Sequence, residues 1–370
     1  MSSRTDILFQ DVASPSGIVT EIRLPGALPG IPTTRDAPIP ITSAPSRSRL
    51  GREATEASYF GSNGFEVPAL AFAVDAASPI RVDEDGILYA YVDGYYAVDG
   101  VRRIGELATE LLGRRFRRNH VNEVVAWFKN QPPTIPADPD TAVLNVQNGL
   151  LGWRTGRLAP HTPAHPSTIR IPVAWNPTAR CPRIAAFLAQ VLAPDAREFV
   201  LEIAGYALYA GNPFRKAILL LGPGGNGKST FLRLVSALLG TTNIANVSLH
   251  TLQSQRFAVA QLRGKLANIA GDLDARPVEG SDVFKQLTGG DRLYAERKYE
   301  APFAFTSFAL PLFSANQAPP SSDQTEAWFD RWLVVAMTRR FGDGDQGSRP
   351  DPELSTKLTT PDELSGFLNL

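Results

Sequence analysis

The chain has 370 residues, and its 37 lysine and arginine residues balance 37 aspartate and glutamate residues. The net charge therefore gives no indication of a nucleic-acid partner. The single cysteine, Cys181, excludes an intrachain disulfide and is typical of a reducing compartment. No apolar run approaches the roughly 18 residues of a membrane span, and the first residues lack a signal segment, so we expect a soluble cytoplasmic protein without a membrane partner.

The composition changes along the chain and predicts five segments. The first 50 residues carry seven prolines and few large apolar side chains, which is typical of a flexible arm. The next pattern predicts a β-meander with turns at Asp93-Gly94 and Asp99-Gly100, followed by two helices. The predicted segments are a Pro-rich arm at 1–50, a small α+β domain at 51–135, a linker and helical connector at 136–212, an α/β core at 213–342 and a C-terminal tail at 343–370.

A glycine-rich segment organises the predicted core. Residues 217–221 form a short apolar run, and Phe231, Val235 and Leu238 recur at helical spacing after the glycines. A strand, a glycine-rich turn and a helix in this order are the context of a phosphate-binding P-loop. The segment consists of Gly222, Pro223, Gly224, Gly225, Asn226, Gly227, Lys228, Ser229 and Thr230.

The residue types in this segment suit a nucleoside triphosphate. The glycines let backbone N–H groups face phosphate oxygens, and the helix adds the positive end of its dipole. Lys228 would contact the β- and γ-phosphates, and Ser229 would hold Mg²⁺. Gly222, Gly224 and Gly227 also match a dinucleotide fingerprint, but that motif expects an acidic residue about 20 positions later, which the sequence lacks. A structural glycine turn with a solvated lysine is the simplest alternative.

Two acidic residues are candidates for the metal and the attacking water. Residues 265–271 are mostly apolar and lead to Asp272 and Asp274. Phosphoryl transfer uses an acid of this kind to hold Mg²⁺. If the strand continues, alternation places both carboxylates on one strand face. Ordinary turn acids after a strand would give the same pattern.

A polar amide and an arginine complete the candidate catalytic set. The apolar segment 310–315 ends in Asn316, whose amide can bond the γ-phosphate or the attacking water without adding charge. Arg331 follows later, and its planar cation suits a finger that acts in trans on transferring phosphoryl oxygens. A surface ion pair with Asp330 is the alternative for this arginine.

Residues 285–299 are predicted to form an exposed hairpin with a basic tip. Arg292, Arg297 and Lys298 are interleaved there with tyrosines, a pattern that suits a surface following a single nucleic-acid strand. Residues 215–341 contain 15 lysines and arginines against 10 acidic residues, so the local charge is positive. A solvated hairpin would look the same.

The order of these motifs resembles the superfamily 3 helicases, in particular the phage/plasmid primase–helicase family, which includes the poxvirus-type enzymes. The resemblance extends over residues 85–370. The segments that carry it are Asn148-Gly149-Leu150, Ala179-Arg180-Cys181-Pro182, the Gly205-Tyr206 helix, 222–230, Phe284-Lys285-Gln286-Leu287-Thr288-Gly289-Gly290-Asp291, Asn316 and Arg331.

The resemblance implies an AAA+-like P-loop ATPase core that assembles into hexameric rings and moves along single-stranded DNA, typically 3′ to 5′. It implies that ATP and Mg²⁺ lie at subunit boundaries and that the basic tip of the hairpin points into the channel. One subunit would supply Lys228, Ser229, Asp272 and Asn316, and its neighbour would supply Arg331.

The sequence departs from the family in three ways. Asp272-Leu273-Asp274 stands where relatives often have glutamate, so the key acid stays open. The first 85 residues are short and Pro-rich, so we expect no primer synthesis and allow for a separate primase as partner. The chain stops at Leu370, where relatives continue into a helical or winged region, which suggests a fragment, a split gene product or a protein completed by a C-terminal partner.

The expected function is an ATP-dependent DNA helicase or translocase of phage or plasmid replication. Two other functions stay open. A nucleotide or small-molecule kinase would use the same loop, although a kinase lid usually carries several arginines. A nucleotide-gated DNA-loading or binding module would hydrolyse ATP slowly and would not unwind DNA by itself.

Overall fold

The computed structural model describes residues 56–299, 301–339 and 351–370. The described residues separate into two compact units, one with residues 56–140 and 159–169 and the other with residues 141–158 and those from 170 onward. The predicted arm at 1–50 lies outside the described residues. The predicted division of the chain into five segments stays a prediction.

The smaller unit combines short antiparallel strands with three helices. Its strands are β1 (Phe60–Gly61), β2 (Gly64–Phe65), β3 (Ile80–Val82), β4 (Leu88–Val92) and β5 (Tyr95–Ala97). Its helices are α1 (Val67–Ala77), α2 (Gly100–Leu112) and α3 (Arg118–Lys129). Leu70, Ile104 and Val124, one from each helix, are fully buried in a common core, which explains why this unit is compact.

The predicted β-meander of this unit is present, but only one of its two predicted turns joins strands. Asp93 and Gly94 turn the chain from β4 into β5 with φ angles of 50° and 88°, the left-handed conformation that a tight hairpin turn requires. The second predicted turn is wrong, because Gly100 is the first residue of α2. The third strand is β3, which pairs with β4 and buries Ile80 and Val82 on one face.

The larger unit holds the remaining strands and helices. Its strands are β6 (Val143–Val146), β7 (Gly149–Gly152), β8 (Arg157–Ala159), β9 (Ala217–Leu221), β10 (Ile244–Ala245), β11 (Ala267–Ala270), β12 (Arg292–Ala295), β13 (Phe303–Thr306), β14 (Leu310–Ala315) and β15 (Trp332–Ala336). Its helices are α4 (Pro182–Val191), α5 (Pro194–Leu208), α6 (Lys228–Leu239), α7 (Leu249–Ser254), α8 (Asp282–Gly289), α9 (Glu326–Phe329), α10 (Leu354–Leu358) and α11 (Pro361–Phe367). None of the helices described in the chain is long and apolar enough to cross a membrane.

A five-stranded parallel sheet forms the centre of this unit, in the order β10-β11-β14-β9-β15. β9 and β14 are apolar and buried almost throughout, as expected for strands covered on both faces. The mixed α/β fold with a parallel sheet is therefore confirmed, and the predicted strand at 217–221 is β9. All five strands end at the same edge, which is where ligand crevices form in sheets of this kind.

The last helix, α11, closes onto the start of α4. Glu363 is buried, and its carboxylate oxygens accept hydrogen bonds from the backbone N–H groups of Arg183 (3.1 Å) and Ile184 (3.0 Å). The first N–H groups of a helix have no partner within the helix itself. Glu363 therefore caps α4 from a distant part of the chain and fastens the C-terminal helix to it.

We expect Glu363→Ala to lower the free energy of unfolding by about 1–3 kcal/mol, because two helical N–H groups lose their acceptor. Denaturant unfolding measures this change. Asp362 is the exposed neighbour on the same helix, and Asp362→Ala should change the stability by less than about 0.5 kcal/mol. Equal losses in the two variants would contradict the capping role.

Candidate nucleotide site

The glycine-rich loop connects β9 to α6 at the carboxyl edge of the parallel sheet. A Cβ atom at Gly222 would lie 2.1 Å from the carbonyl oxygen of Met337, just after β15. Gly227 has a φ of 91°, and a Cβ atom there would lie 2.8 Å from Cγ1 of Val191 in α4. The loop backbone thus packs too closely against its neighbours to carry side chains at these two positions.

Lys228 is the first residue of α6 and is only 4% exposed. Its Nζ atom lies 2.6 Å from the carbonyl oxygen of Gly222, 3.1 Å from that of Pro223, 3.1 Å from Oδ1 of Asn226 and 3.2 Å from Oδ1 of Asn316. An ammonium group has three N–H donors, so these oxygens can occupy all of them. The lysine is therefore buried and not solvated, whereas the alternative of a purely structural turn stays open.

The electrostatic surroundings of Lys228 combine burial with a nearby carboxylate. Burial lowers the pKa of Lys228, and the negative charge of Asp272 opposes this effect. Asp272 follows β11, and its backbone N–H donates to Oγ of Ser314 in β14 (3.2 Å). The charges of Lys228 and Asp272 therefore act on each other at the edge where the glycine-rich loop lies.

The two acids do not share one strand face, so that prediction is wrong. β11 ends at Ala270, and Asp272 has a left-handed φ of 50°, which breaks the alternation of a strand. The carboxylate of Asp274 accepts hydrogen bonds from the backbone N–H (3.1 Å) and Nε (2.5 Å) of Arg276. These bonds hold the pKa of Asp274 below its ordinary value. Asp272 is the member of the pair that the structure brings towards Lys228.

Strand register explains why Asn316 meets Lys228. Ala315 is paired with Leu221 in the parallel ladder of β14 and β9, so the residues that follow the two strands are neighbours. The amide of Asn316 is exposed, and its Oδ1 accepts from Nζ of Lys228. A polar group that can hold water is therefore placed beside the lysine.

The rest of the loop is open to a ligand. Pro223, Gly224 and Gly225 are exposed along the loop, Ser229 is exposed on the first turn of α6, and Thr230 is half-buried. An added Cβ at Gly224 would meet nothing within 4 Å. This combination of close packing on one side and open backbone on the other fits a phosphate cradle.

The same residues fit a hard divalent cation. The Ser229 hydroxyl and the Asp272 carboxylate are oxygen ligands of the kind that Mg²⁺ uses together with water and substrate phosphates. Within residues 56–299, 301–339 and 351–370, no group of three or more His, Cys, Asp or Glu side chains is arranged to hold a metal ion.

Arg331 lies at the opposite edge of the sheet. It directly precedes β15, whose first residue, Trp332, pairs with Ala217 at the start of β9. The glycine-rich loop begins after the end of β9, so the length of the strand, roughly 15 Å, separates it from Arg331. The structure does not bring Arg331 to Lys228 within one chain.

Arg331 forms hydrogen bonds with Thr288 and Ala327 and not the ion pair with Asp330 that is the alternative prediction. Its Nε donates to Oγ1 of Thr288 in α8 (2.9 Å), and its Nη1 donates to the carbonyl oxygen of Ala327 in α9. Asp330 contributes a backbone carbonyl to Nζ of Lys216 instead. The guanidinium of Arg331 is therefore held by two neighbouring helices.

The first half of the predicted hairpin is wrong, because residues 282–289 form α8. Phe284, Leu287 and Thr288 are buried on one face at spacings of three and four residues, which is the period of a helix. Gly290, with a φ of 77°, ends the helix in a left-handed conformation. The segment 284–291, which carries part of the family resemblance, therefore lies mostly in a helix and not in a strand.

The second half does form a hairpin, with β12 paired to β13 in antiparallel register. Arg292 lies in β12 and donates to a backbone carbonyl across the strand pair (3.1 Å). Arg297 and Lys298 lie in the connecting loop, Arg297 4.9 Å from the ring centre of Phe303 and Lys298 4.9 Å from that of Tyr299. Tyr299 is 93% exposed. The loop therefore presents both cations and an aromatic ring.

Three polar residues shape the site in ways that the sequence does not predict: Asn226 is predicted as part of the phosphate-binding segment but without these contacts, and Ser314 and Thr288 are not predicted as site residues. Asn226 is 2% exposed and joins Lys228 to the carbonyl of Met337. Ser314 and Thr288 are both fully buried. The hydroxyl of Ser314 accepts a hydrogen bond from the backbone N–H of Asp272, and that of Thr288 accepts one from Nε of Arg331. A lone serine in an otherwise apolar strand was the available signal for Ser314, whereas the contact of Thr288 with Arg331 joins residues 43 positions apart.

Two family models match the chain. The model described as D5 N terminal like matches residues 93–193, and the model described as Family of unknown function (DUF5906) matches residues 220–331. The second match starts in β9 and ends at Arg331. It therefore spans the glycine-rich loop, Asp272, Asn316 and the hairpin.

Two viral proteins are similar in sequence. The protein named "Putative helicase L207/L206" of Acanthamoeba polyphaga mimivirus is 25% identical over 210 residues, which are 50% of this chain and 21% of that protein. The protein named "Putative helicase 022R" of Frog virus 3 (isolate Goorha) is 26% identical over 174 residues, which are 43% of this chain and 18% of that protein. The matches thus span about a fifth of these relatives.

The fold is similar to solved structures of the NrS-1 C-terminal region. The A form apo structure matches 81% of this chain and 68% of that chain with a TM-score of 0.55 and 13% identity, and a second structure of residues 305–718 gives a TM-score of 0.54. A D5 N-terminal-like region followed by a DUF5906 region is the primase–helicase arrangement, and the chain is therefore confirmed to resemble the primase–helicase family in both regions and in their order.

Proposed function

We propose that the chain is an ATP-dependent DNA helicase or translocase of phage or plasmid replication, with an AAA+-like P-loop core of the superfamily 3 type. The observation that carries the proposal is the meeting of Lys228, Asp272 and Asn316 at one edge of the parallel sheet, with Arg331 at the other. The helicase-named relatives support a role in replication. If a phage or plasmid encodes it, it would act in the cytoplasm of the bacterial host.

Each residue at the carboxyl edge has a role in this proposal. Lys228 would exchange its carbonyl acceptors for β- and γ-phosphate oxygens and neutralise their charge. Asn316 would orient the attacking water next to the γ-phosphate. Mg²⁺, held through Ser229 and Asp272, supplies further positive charge to the phosphates when bound.

Arg331 requires a second chain in this scheme. Its own glycine-rich loop lies at the far edge of the sheet, so a phosphate reached by Arg331 belongs to a neighbouring protomer. A ring, hexameric as in the resembled family, places each Arg331 next to the loop of the following protomer. The guanidinium would spread its charge over the transferring phosphoryl oxygens.

The hairpin loop would contact single-stranded DNA. We expect the double variant Arg297→Ala/Lys298→Ala to bind single strands more weakly and to lower the slope of log K against log salt by about 1.4, since each lost phosphate contact removes about 0.7. Fluorescence anisotropy with a labelled oligonucleotide at several salt concentrations measures the slope. Arg233→Ala, an exposed arginine on α6, is the control and should leave the slope unchanged. An unchanged slope in the double variant would exclude the loop from the DNA contact.

Steady-state ATP turnover with increasing single-stranded DNA, followed by strand displacement on a forked duplex, tests the function itself. Turnover that rises with DNA and drives displacement supports the helicase. An assembled protein that hydrolyses ATP without binding single strands refutes it. Slow hydrolysis and DNA binding without displacement would favour a loading module, and phosphate transfer to a nucleoside monophosphate would favour a kinase.

A further inference from the structure

We propose that Thr288 is a positioning residue for Arg331 and that α8 connects the hairpin mechanically to this arginine. The inference rests on the proposed function, because it assigns a role to the arginine that would act across the protomer boundary. Thr288 lies within the segment 284–291 that carries the resemblance, but neither the sequence motifs nor the comparisons assign it a role.

The hydroxyl of Thr288 takes part in two hydrogen bonds, one as donor and one as acceptor. Thr288 is fully buried, and its Oγ1 donates to the carbonyl oxygen of Phe284 one turn earlier (2.8 Å). With the proton directed there, an oxygen lone pair accepts from Nε of Arg331 at 2.9 Å. The direction of the arginine side chain is thereby tied to the backbone of α8.

The two hydrogen bonds of Arg331 fix the plane of its guanidinium. Nε is held by Thr288 and Nη1 by the carbonyl oxygen of Ala327. A guanidinium has five N–H donors in one plane, and among the described residues Nη2 of Arg331 donates to no acceptor. With Nε and Nη1 held, the N–H groups of Nη2 are left for phosphate oxygens of a neighbouring protomer, with less side-chain freedom to lose when they bind.

α8 is attached firmly to the segment that carries Arg331. The ring of Phe284 stacks on Trp332 at 4.6 Å with an interplanar angle of 16° and lies 4.8 Å from the ring of Trp328. Lys285 forms an ion pair with Asp323, whose side chain is 10% exposed. These contacts lie on both sides of Arg331 in the sequence, so α8 is held against the segment that carries the arginine.

The other end of α8 leads directly into the hairpin. Only Gly290 and Asp291 separate α8 from β12, and the backbone N–H of Asp291 still donates to the carbonyl oxygen of Gln286 (3.1 Å). A displacement of the hairpin loop by a bound strand is therefore passed to α8 and from it, through Thr288, to Arg331. Conversely, phosphate contact at Arg331 would bias the position of the loop.

Replacing Thr288 tests the inference with a matched pair. Thr288→Val keeps the shape but removes the acceptor, and Thr288→Ser keeps the hydroxyl. We expect Thr288→Val to lower kcat for DNA-stimulated ATP turnover about ten- to a hundredfold, as the loss of one hydrogen bond to a charged group predicts, with little change in KM for ATP. Thr288→Ser should retain most of the wild-type kcat, and adding Thr288→Val to Arg331→Ala should cause no further loss.

Mixing experiments separate positioning from general damage. The loop of a Thr288→Val protomer is intact, so a Lys228→Ala protomer beside it can supply a correctly held Arg331. Mixed assemblies should therefore turn over ATP faster per intact loop than Thr288→Val alone. If the valine variant does not fold, as judged by thermal unfolding, Thr288→Ala replaces it in the comparison with Thr288→Ser.

The outcomes distinguish this inference from the proposed function. Wild-type protein without DNA-stimulated ATP turnover would refute the proposed function and the inference with it. Wild-type turnover combined with full activity of Thr288→Val would refute only the inference. An equal loss of kcat in the serine and valine variants, without rescue on mixing, would assign Thr288 a structural role. This result would also refute the inference.

Discussion

Lys228→Ala is expected to lower ATP turnover by about a thousandfold or more, which corresponds to several kcal/mol of transition-state stabilisation. The lysine is buried at the start of α6 with its ammonium held among loop oxygens, so the variant removes the positive charge from this position. Steady-state turnover with saturating single-stranded DNA measures the effect. Lys129→Ala, an exposed lysine at the end of α3, is the control and should turn over ATP like the wild type.

A second effect of Lys228→Ala concerns the loop itself. Asn226 and Asn316 would each lose the ammonium that their Oδ1 atoms accept from. We therefore expect weaker ATP binding in addition to slower turnover. Retention of more than a tenth of the wild-type rate would contradict the assignment of this loop as the catalytic phosphate site.

Arg331→Ala is expected to lower ATP turnover about a thousandfold, because arginine fingers contribute in this range. ATP binding should stay intact, because Arg331 lies far from the glycine-rich loop of its own chain. Nucleotide binding is measured with a fluorescent ATP analogue. Arg331→Lys should restore little activity, since an ammonium cannot keep both anchoring bonds and still present a planar donor edge.

Mixing Arg331→Ala with Lys228→Ala tests whether the arginine acts across protomers. In mixed assemblies some boundaries combine an intact Lys228 from one chain with an intact Arg331 from the next, so part of the activity should return. Absence of rescue at every ratio, with assembly confirmed by native mass, would rule out an arrangement in trans.

Much of the carboxyl edge of the sheet could be predicted from the sequence. The order of apolar runs followed by Lys228, Asp272 and Asn316 is read directly, because parallel strands that end in polar residues place those residues at one edge. The relation of Asp272 to Asp274 could not be predicted in this way. It depends on a strand that stops at Ala270 and on a left-handed residue, and alternation reveals neither.

The segment before the hairpin shows a second limit of predicting the structure from the sequence. The alternating pattern predicts that the hairpin begins at Lys285, yet Phe284 and Thr288 are buried four positions apart on a helix that packs on Trp332. Contacts with residues more than 40 positions away decide between the two conformations. The hydrogen bond between Thr288 and Arg331 is likewise a long-range contact that no local sequence pattern predicts.

The polarity of the parallel sheet has a consequence for how the protein would be controlled. With the loop at one edge and Arg331 at the other, each isolated chain would, under the proposed function, hold two incomplete halves of a reaction centre. Under the proposed function, dilution below the point of assembly would silence hydrolysis although every loop stayed intact. Idle consumption of ATP by unassembled copies would thereby be prevented by architecture alone, without an inhibitor.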